Sequence, residues 1–395
     1  MTFSSVLHLN VRLSEGGAAG VARALSAELR GAGIDSRLAY GYSKGGKASP
    51  DESELDAVRV TPRAVAAANR MAYALIGRET RATGAKAWTA FLAAMNDASA
   101  IHLHAVHSHI VDFDVLVDAI IDADKPVVWT LHDQWIMTGR CAQPGACRLW
   151  EQGCKVCPDL DAYPRGIIDR AGERWLDKRS AISRLREHVP VSVVACASWL
   201  AEEAEIAGLG PVLVIQNSVD RQFWNASRPT SRAPRKGRRN LFMCRDLRDS
   251  VKIDWELLAD ISRMQNQSLL VVGNDAPESA PRLDYQPAVV DRRELAALMG
   301  THDRLIFTSP VDYFPLTVLE ALSSGLEVFA IDSAAAREFE GHPGMHLFGG
   351  PSAMLDALSR VDDGYVYHPP VTPHAYSPDA MTASYIEAYE SVTDQ

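Results

Sequence analysis

The sequence predicts an α/β protein of two Rossmann-like domains, and three observations predict it. Its 395 residues exceed what one ordinary hydrophobic core organises. Short apolar, β-rich runs alternate with helical patterns throughout, the order that builds parallel sheets covered by helices on both faces. Near the middle, RPTSRAPRKGRRN is rich in proline and cations and reads as an exposed connector between two sets of elements. Apolar content of 47% and charged content of 23% belong to a globular protein in water. A net charge of −10 lacks the basic footprint that nucleic acid requires, so nucleic acid is not an expected partner. No apolar run is long enough to span a bilayer and no signal-peptide pattern precedes Val6, so the expected compartment is the cytoplasm.

The first domain is expected over residues 1–216, with strands at 6–9, 37–40, 101–103, 127–131, 191–196 and 212–215. A second domain over 217–376 has its runs at 241–244, 269–272, 288–290, 305–308 and 328–331. The stretch 377–395 opens as a helix at Ser377-Pro378, with Asp379 in its first turn and Tyr385 and Tyr389 on one face. Between Arg59 and Lys86 the chain carries Arg63, Arg70, Arg78 and Arg81 as well, against Glu79, with Met71, Leu75 and Ile76 among alanines. A helix with basic and apolar faces suits peripheral contact with an anionic membrane, at about 1 kcal/mol per basic residue near the surface. An ordinary surface helix fits the same residues. The connector's cations likewise suit anionic lipid or phosphate, or simple solvation.

Four places carry chemistry. The segment LIFTSPVDYFPLTVLEALSSGLEVFAI reads as strand, turn, helix and strand, with Pro315 opening the helix and Gly325 ending it. The amide groups of Leu316 and Thr317 then point out at the carboxyl edge of the sheet, where a helix start favours phosphate. Asp312 and Glu320 flank that turn and can accept hydrogen bonds from sugar hydroxyls, so the segment suits a nucleotide sugar. The plainer alternative makes Asp312 a turn former and Glu320 a solvated carboxylate. After the first strand, Gly16 and Gly17 allow close approach of backbone to a ligand. The G-x-G-x-x-G pattern is not met there, which disfavours a nicotinamide site. Histidines gather at two strand ends, IHLHAVHSH and WTLHDQW, which places His104, His132 and Asp133 at the sheet's carboxyl edge. In CRDLRDSVKIDWELL, Arg245 offers a planar fork and Lys252 a point charge to a diphosphate. One such fixed group is typically worth about 3 kcal/mol when a diphosphate departs. A local salt bridge with Asp246 or Asp249 is the alternative.

The loop 139–158 holds Cys141, Cys147, Cys154 and Cys157, the last two as C-x-x-C. Four thiolates in a reducing compartment fit a structural tetrahedral zinc with no open position, and disulfides or free thiols are the alternatives. Asp-x-Asp pairs at Asp112/Asp114, Asp122/Asp124 and Asp159/Asp161 sit at no clear strand end, so a divalent catalytic metal is not expected.

These motifs together resemble the retaining GT-B glycosyltransferases of family 4. The string LHDQWIMTGRC…C…W…GC…CP resembles the bacterial exopolysaccharide subset of the colanic-acid type. Glu320 matches the second carboxylate of the family's signature, the ribose contact, while Asp312 stands one methylene short of the expected Glu. Ser218 replaces a glycine of the family's hinge, and Cys244 and Ile253 replace the glycines around Arg245 and Lys252. The resemblance implies a GT-B fold, two Rossmann-like domains facing across a cleft, with the C-terminal helix crossing back onto the first. It implies transfer of a hexose from a nucleotide-diphosphate sugar to a glycan, lipid-linked or small-molecule acceptor with retention, without a catalytic cofactor. Gly16, Gly17, Arg245, Lys252, Leu316, Thr317 and Glu320 would bind the donor. His132, Arg245, Lys252 and Asp312 would act in catalysis, with His104 and Asp133 at the acceptor or sugar. Two rivals stand beside this reading: a sugar-nucleotide epimerase of the same fold, and a degenerate nucleotide-binding partner subunit.

Overall fold

The computed structural model describes residues 3–227, 237–360 and 376–394. The core of the cationic connector, 228–236, lies outside them. Two compact units emerge: Met1–Gln216 with Asp379–Gln395, and Asn217–Pro378.

In the first unit, seven strands run β1 (Ser5–Asn10), β2 (Asp35–Tyr40), β3 (Val58–Arg59), β4 (Ala100–Leu103), β5 (Val127–Leu131), β6 (Val191–Ala195) and β7 (Val212–Val214). Their order in the sheet is β3-β2-β1-β4-β5-β6-β7, every pair parallel. β4 and β5 are buried along their whole length, as near-continuous apolar runs sandwiched by helices must be. Because β1 pairs with both β2 and β4, strand order reverses between β1 and β4, and the carboxyl ends part there. The same register sets His8 directly beside His102. The helices that follow these strands are α1 (Gly17–Gly31), α2 (Arg63–Ile76), α3 (Ala85–Asp97), α4 (Phe113–Asp122), α5 (Ala171–His188) and α6 (Ser198–Ile206). The cationic stretch is therefore not one helix. Arg59 pairs into the sheet, Pro62 precedes α2, and Gly77 at φ 73° ends it in a left-handed turn.

In the second unit come α7 (Arg221–Ala226), β8 (Arg238–Asp246), α8 (Trp255–Arg263), β9 (Gln267–Asn274), β10 (Asp284–Gln286), α9 (Arg292–Gly300) and β11 (Arg304–Phe307). There follow α10 (Leu316–Ser323), β12 (Glu327–Ile331), α11 (Ala334–Arg337), β13 (Met345–Phe348) and α12 (Pro351–Ser359). The sheet order is β10-β9-β8-β11-β12-β13, again all parallel, with its reversal between β8 and β11. Phe242, Leu258, Ile261, Val271 and Ile306 form its core. The strand expected at 288–290 is corrected to 284–286. Pro287 has no N–H to continue the ladder, and Val290 beyond it is 87% exposed.

The last helix, α13 (Pro378–Thr393), belongs almost wholly to the first unit. It buries Tyr385 and Tyr389 completely, and Tyr389 packs on Phe3 at 5.2 Å between ring centroids.

Candidate active site

In the second unit the candidate residues collect where strand order reverses. Lys252 lies in the loop after β8 and Asp312 in the loop after β11. The two meet as an ion pair, Nζ to Oδ1 at 2.6 Å. Thr308, at the end of β11, fixes the lysine's loop by donating its hydroxyl to the Lys252 carbonyl at 2.6 Å. Burial alone would lower the lysine's pKa, but the Asp312 carboxylate outweighs it and holds the ammonium charged. The shorter aspartate thus still reaches a cation at this edge. Arg245 is exposed, beside a register irregularity of β8 between Met243 and Asp246, and has no ion pair among the described residues. Arg248, rather than Arg245, takes Asp246 at 2.7 Å and Asp275 at 3.2 Å.

Beside that pair α10 begins. Pro315 at its N-cap brings no capping side chain, and Leu316 and Thr317 form a half-buried first turn. The amides of Val318 and Leu319 already bond the Pro315 carbonyl, at 3.0 and 3.2 Å. Glu320, one turn on, is only 7% exposed and is not a solvated helix carboxylate. Its Oε1 accepts from Arg292, whose Nε donates to Asp220. Burial pushes the Glu320 carboxyl above the usual range, and Arg292 pulls it back only in part. Sequence reading did not single out Arg292, since nothing distinguishes it from Arg293 in the string DRREL.

In the first unit Gly16 and Gly17 are exposed after β1, with Gly16 at φ 96°, a conformation that side chains resist. In the same unit the histidines of β1, β4 and the loops after β4 and β5 form a buried, hydrogen-bonded stack. His8 Nδ1 meets His104 Nε2 at 3.1 Å, and His104 Nδ1 meets His132 Nε2 at 3.0 Å. His102 bonds Tyr389 at 2.6 Å and Thr130 at 2.8 Å, and Thr130 bonds Tyr385 at 2.9 Å. Burial lowers the pKa of His8 to about 3 and of His132 to about 4, and lowers those of His102 and His104 well below the ordinary value. The stack is therefore neutral: His102 and His104 are bonded at both ring nitrogens, one as donor and one as acceptor, while His8 Nε2 is buried without a partner among the described residues. His8, His102 and His104 each bring a nitrogen within 4.8 Å of the others. However, the rings of His102 and His104 stack at 4.0 Å with 27° between planes, so their in-plane lone pairs do not converge on one ion.

Asp133 follows His132 and holds His107 Nε2 at 2.7 Å while accepting the Trp135 amide at 2.8 Å. Burial raises its pKa, but His107 more than compensates and leaves the carboxyl below its usual value. The chain of contacts continues through Ser108 to the Tyr163 hydroxyl at 2.5 Å. His104, His107, His132 and Asp133, with Trp129 and Trp135, line a cavity of about 10 Å³, room for no more than one water.

The four cysteines of the excursion are free thiols. Among the described residues, the one trio of metal-type ligands gathered within 4.8 Å is the histidine set. The cysteines nonetheless neighbour one another, Cys154 lying close enough to Cys141 and Cys147, and Cys141 to Cys157, for their charges to interact. Cys154 Sγ accepts the Gly139 amide at 3.1 Å, and Cys157 Sγ donates to the Asp159 carbonyl at 3.2 Å. Burial raises the Cys141 and Cys154 thiols above their ordinary pKa. What ties the excursion is Arg140, which donates to the carbonyls of Asp159, Leu160 and Pro164 at 2.9, 3.1 and 2.5 Å. Lys178 donates to the Trp135 carbonyl with its ammonium 4.3 Å from that ring's centroid, and burial lowers its pKa to about 7.

Among the described residues no helix is long and apolar enough to cross a membrane.

No family model matches the chain. Solved structures with the same architecture include HepE of Anabaena, crystallised with UDP and glucose, at TM-score 0.63 and 13% identity over 98% of this chain and 100% of that one. Sucrose-phosphate synthase of Thermosynechococcus elongatus matches at TM-score 0.63 and 13% identity, over 99% of each chain. At such identity they show the fold, and the fold is that of the GT-B glycosyltransferases: two parallel-sheet α/β domains. A curated protein of Escherichia coli K12, provisionally named colanic acid biosynthesis glycosyl transferase WcaC, is 31% identical over 344 residues, covering 85% of this chain and 84% of its own. The chain belongs to that family of polysaccharide-building glycosyltransferases.

Proposed function

We propose that this glycosyltransferase moves a hexose from a nucleotide-diphosphate sugar to a glycan or lipid-linked acceptor, with retention of configuration, in the cytoplasm. The observation that carries the reading is the Lys252–Asp312 pair at the β8/β11 reversal, with the uncapped start of α10 beside it. A fixed ammonium and outward amides together suit a pyrophosphate, and Arg245 adds a mobile guanidinium at the same edge. Retention by front-face displacement fits these groups. The bond from anomeric carbon to diphosphate oxygen breaks, the acceptor oxygen bonds on the same face, and its proton passes to the departing phosphate. Lys252, Arg245 and the amides of Leu316 and Thr317 stabilise the charge that develops. Neutral His132, oriented by His104 through its Nε2, keeps its other ring nitrogen for a sugar hydroxyl.

On α2, Met71 and Leu75 are 62% and 63% exposed, with Arg63 and Arg70 on the same helix. They support peripheral contact with an anionic membrane, which suits a lipid-linked acceptor. HepE was crystallised with UDP and glucose, so UDP-glucose is the first donor to try. The experiment is a panel of UDP-, GDP- and dTDP-sugars scored by thermal protection, nucleotide release and product analysis. Donor epimerised without nucleotide release, or no sugar nucleotide bound at all, would sink the transferase reading of this site.

A further inference from the structure

The two oxygens of Glu320 are treated differently. Oε1 is gripped by Arg292, whereas Oε2 takes no protein donor among the described residues. Arg292 is itself immobilised on its remaining sides. Its Nε donates to Asp220, whose other oxygen caps α7 by accepting the Phe223 amide at 2.9 Å. Its guanidinium carbon lies 5.1 Å from the centroid of the Phe223 ring, which is fully buried. A guanidinium tied to two carboxylates and an aromatic face is not available to swing onto a phosphate. What it can do is hold one oxygen of Glu320 in place, its Nε and Nη2 being split between Asp220 and Glu320. Without it, a desolvated carboxylate would rotate or take up a proton, and a protonated acid offers fewer acceptor sites.

We propose that Arg292 is a positioning residue of the donor site, holding Glu320 by one oxygen so that the other accepts hydrogen bonds from the ribose diol of a nucleoside diphosphate. The inference rests on the reading of Glu320 as the ribose contact. Its test separates the two. Calorimetry with UDP against 2′-deoxy-UDP, and GDP against 2′-deoxy-GDP, reads the contribution of the ribose 2′-hydroxyl directly. The wild-type protein is expected to prefer the ribonucleotide about tenfold or more, the scale of a hydrogen bond to a charged group. Arg292→Gln should still bind both forms while the preference falls to about twofold or less, and Glu320→Gln should do the same. A merely structural arginine would alter both affinities alike and leave their ratio in place. Should Arg292→Gln not fold, Arg292→Lys replaces it with the same expectation, because one ammonium cannot grip both carboxylates. A preference kept by the arginine variant but lost in Glu320→Gln overturns the role of Arg292 alone. No wild-type preference, no nucleotide binding, or a preference kept by Glu320→Gln overturns the ribose reading and the inference with it.

Discussion

Acidification from pH 7.5 to 5.5 should cost the first unit a large part of its stability through the histidine stack. His8, His102 and His104 are 0%, 0% and 2% exposed, and burial depresses the pKa of each far below that of a free imidazole. Once unfolded, each titrates near 6.5, so between that value and the depressed one the unfolded chain binds protons that the folded chain does not. Stability therefore rises with pH in this window and is lost as pH falls below 6.5. For one imidazole the loss between pH 7.5 and 5.5 is about 1.4 kcal/mol, and for three it is about 4 kcal/mol. His132, its pKa lowered to about 4, acts in the same direction, its share discounted because its side chain is partly exposed. Against a domain stability of about 5–15 kcal/mol the effect is large. Carboxylates contribute little here, because they titrate mostly below pH 5 in either state. Hydrogen exchange in the peptides that carry β1, β4 and β5, followed by mass spectrometry across the pH range and corrected for the intrinsic exchange rate, reads the opening free energy of this sheet. His8→Leu should lower stability at pH 7.5, by orphaning His104 Nε2, yet make the pH dependence shallower by about one histidine's share. A wild-type swing below about 1.5 kcal/mol would mean that at most one imidazole behaves as buried and neutral, and the reasoning would fail.

Three further outcomes follow from the same contacts. Lys252→Ala should reduce kcat about a hundredfold with an unchanged melting temperature, because the ion pair it breaks is partly exposed while the charge it removes is the one we propose to face the leaving group; steady-state kinetics and a thermal melt together check this. Tyr389→Phe leaves His102 Nδ1 without its partner at 2.6 Å and should cost about 1–3 kcal/mol in denaturant titration, with a small effect on donor KM. Replacing Met71 and Leu75 together by serine should weaken sedimentation with vesicles containing anionic lipid and leave hydrolysis of a soluble donor intact, whereas unchanged sedimentation would remove α2 from any membrane contact.

Much of the fold was legible because it is local. β4, β5, β11 and β12 are each apolar but for one residue (His102, Thr130, Arg304 and Glu327), and a doubly wound sheet needs such runs buried on both faces. What was missed lies at sheet edges. β3 has two residues and β13 is only half-buried along its length, so neither needs a hydrophobic signature. The Val-Val pair at 289–290 looked like a strand, but Pro287 had already ended the pairing. The site was legible one residue at a time, not as a constellation. Lys252 and Asp312 are sixty residues apart, and only the adjacency of β8 and β11 brings them together. The burial of Glu320 against Arg292 depends on how α9 packs, which no local pattern encodes. The cysteines show the opposite case: their spacing suggests a common ligand, but spacing alone does not say where four sulfurs point.

Why the candidate residues collect at the two reversals follows from the connections themselves. On one side of β8 the chain crosses to α8 and β9, while from β11 it departs the other way to α10 and β12. Successive loops elsewhere in the sheet run in the same direction and cover one another, but here they part and leave the strand ends open. A side chain from each departing loop can then reach into the same gap, as Lys252 and Asp312 do. The first unit repeats the geometry between β1 and β4, where the Gly16-Gly17 turn follows β1 and His104 follows β4. One consequence separates this account from simple loop proximity. Shortening the Lys252 reach by Lys252→Asp would set two carboxylates against each other across the gap, and Asp312→Lys made in the same chain would restore a pair of opposite charge. The double variant should regain the melting temperature lost by the single one yet remain catalytically poor, since the cation then stands on the wrong loop for the diphosphate.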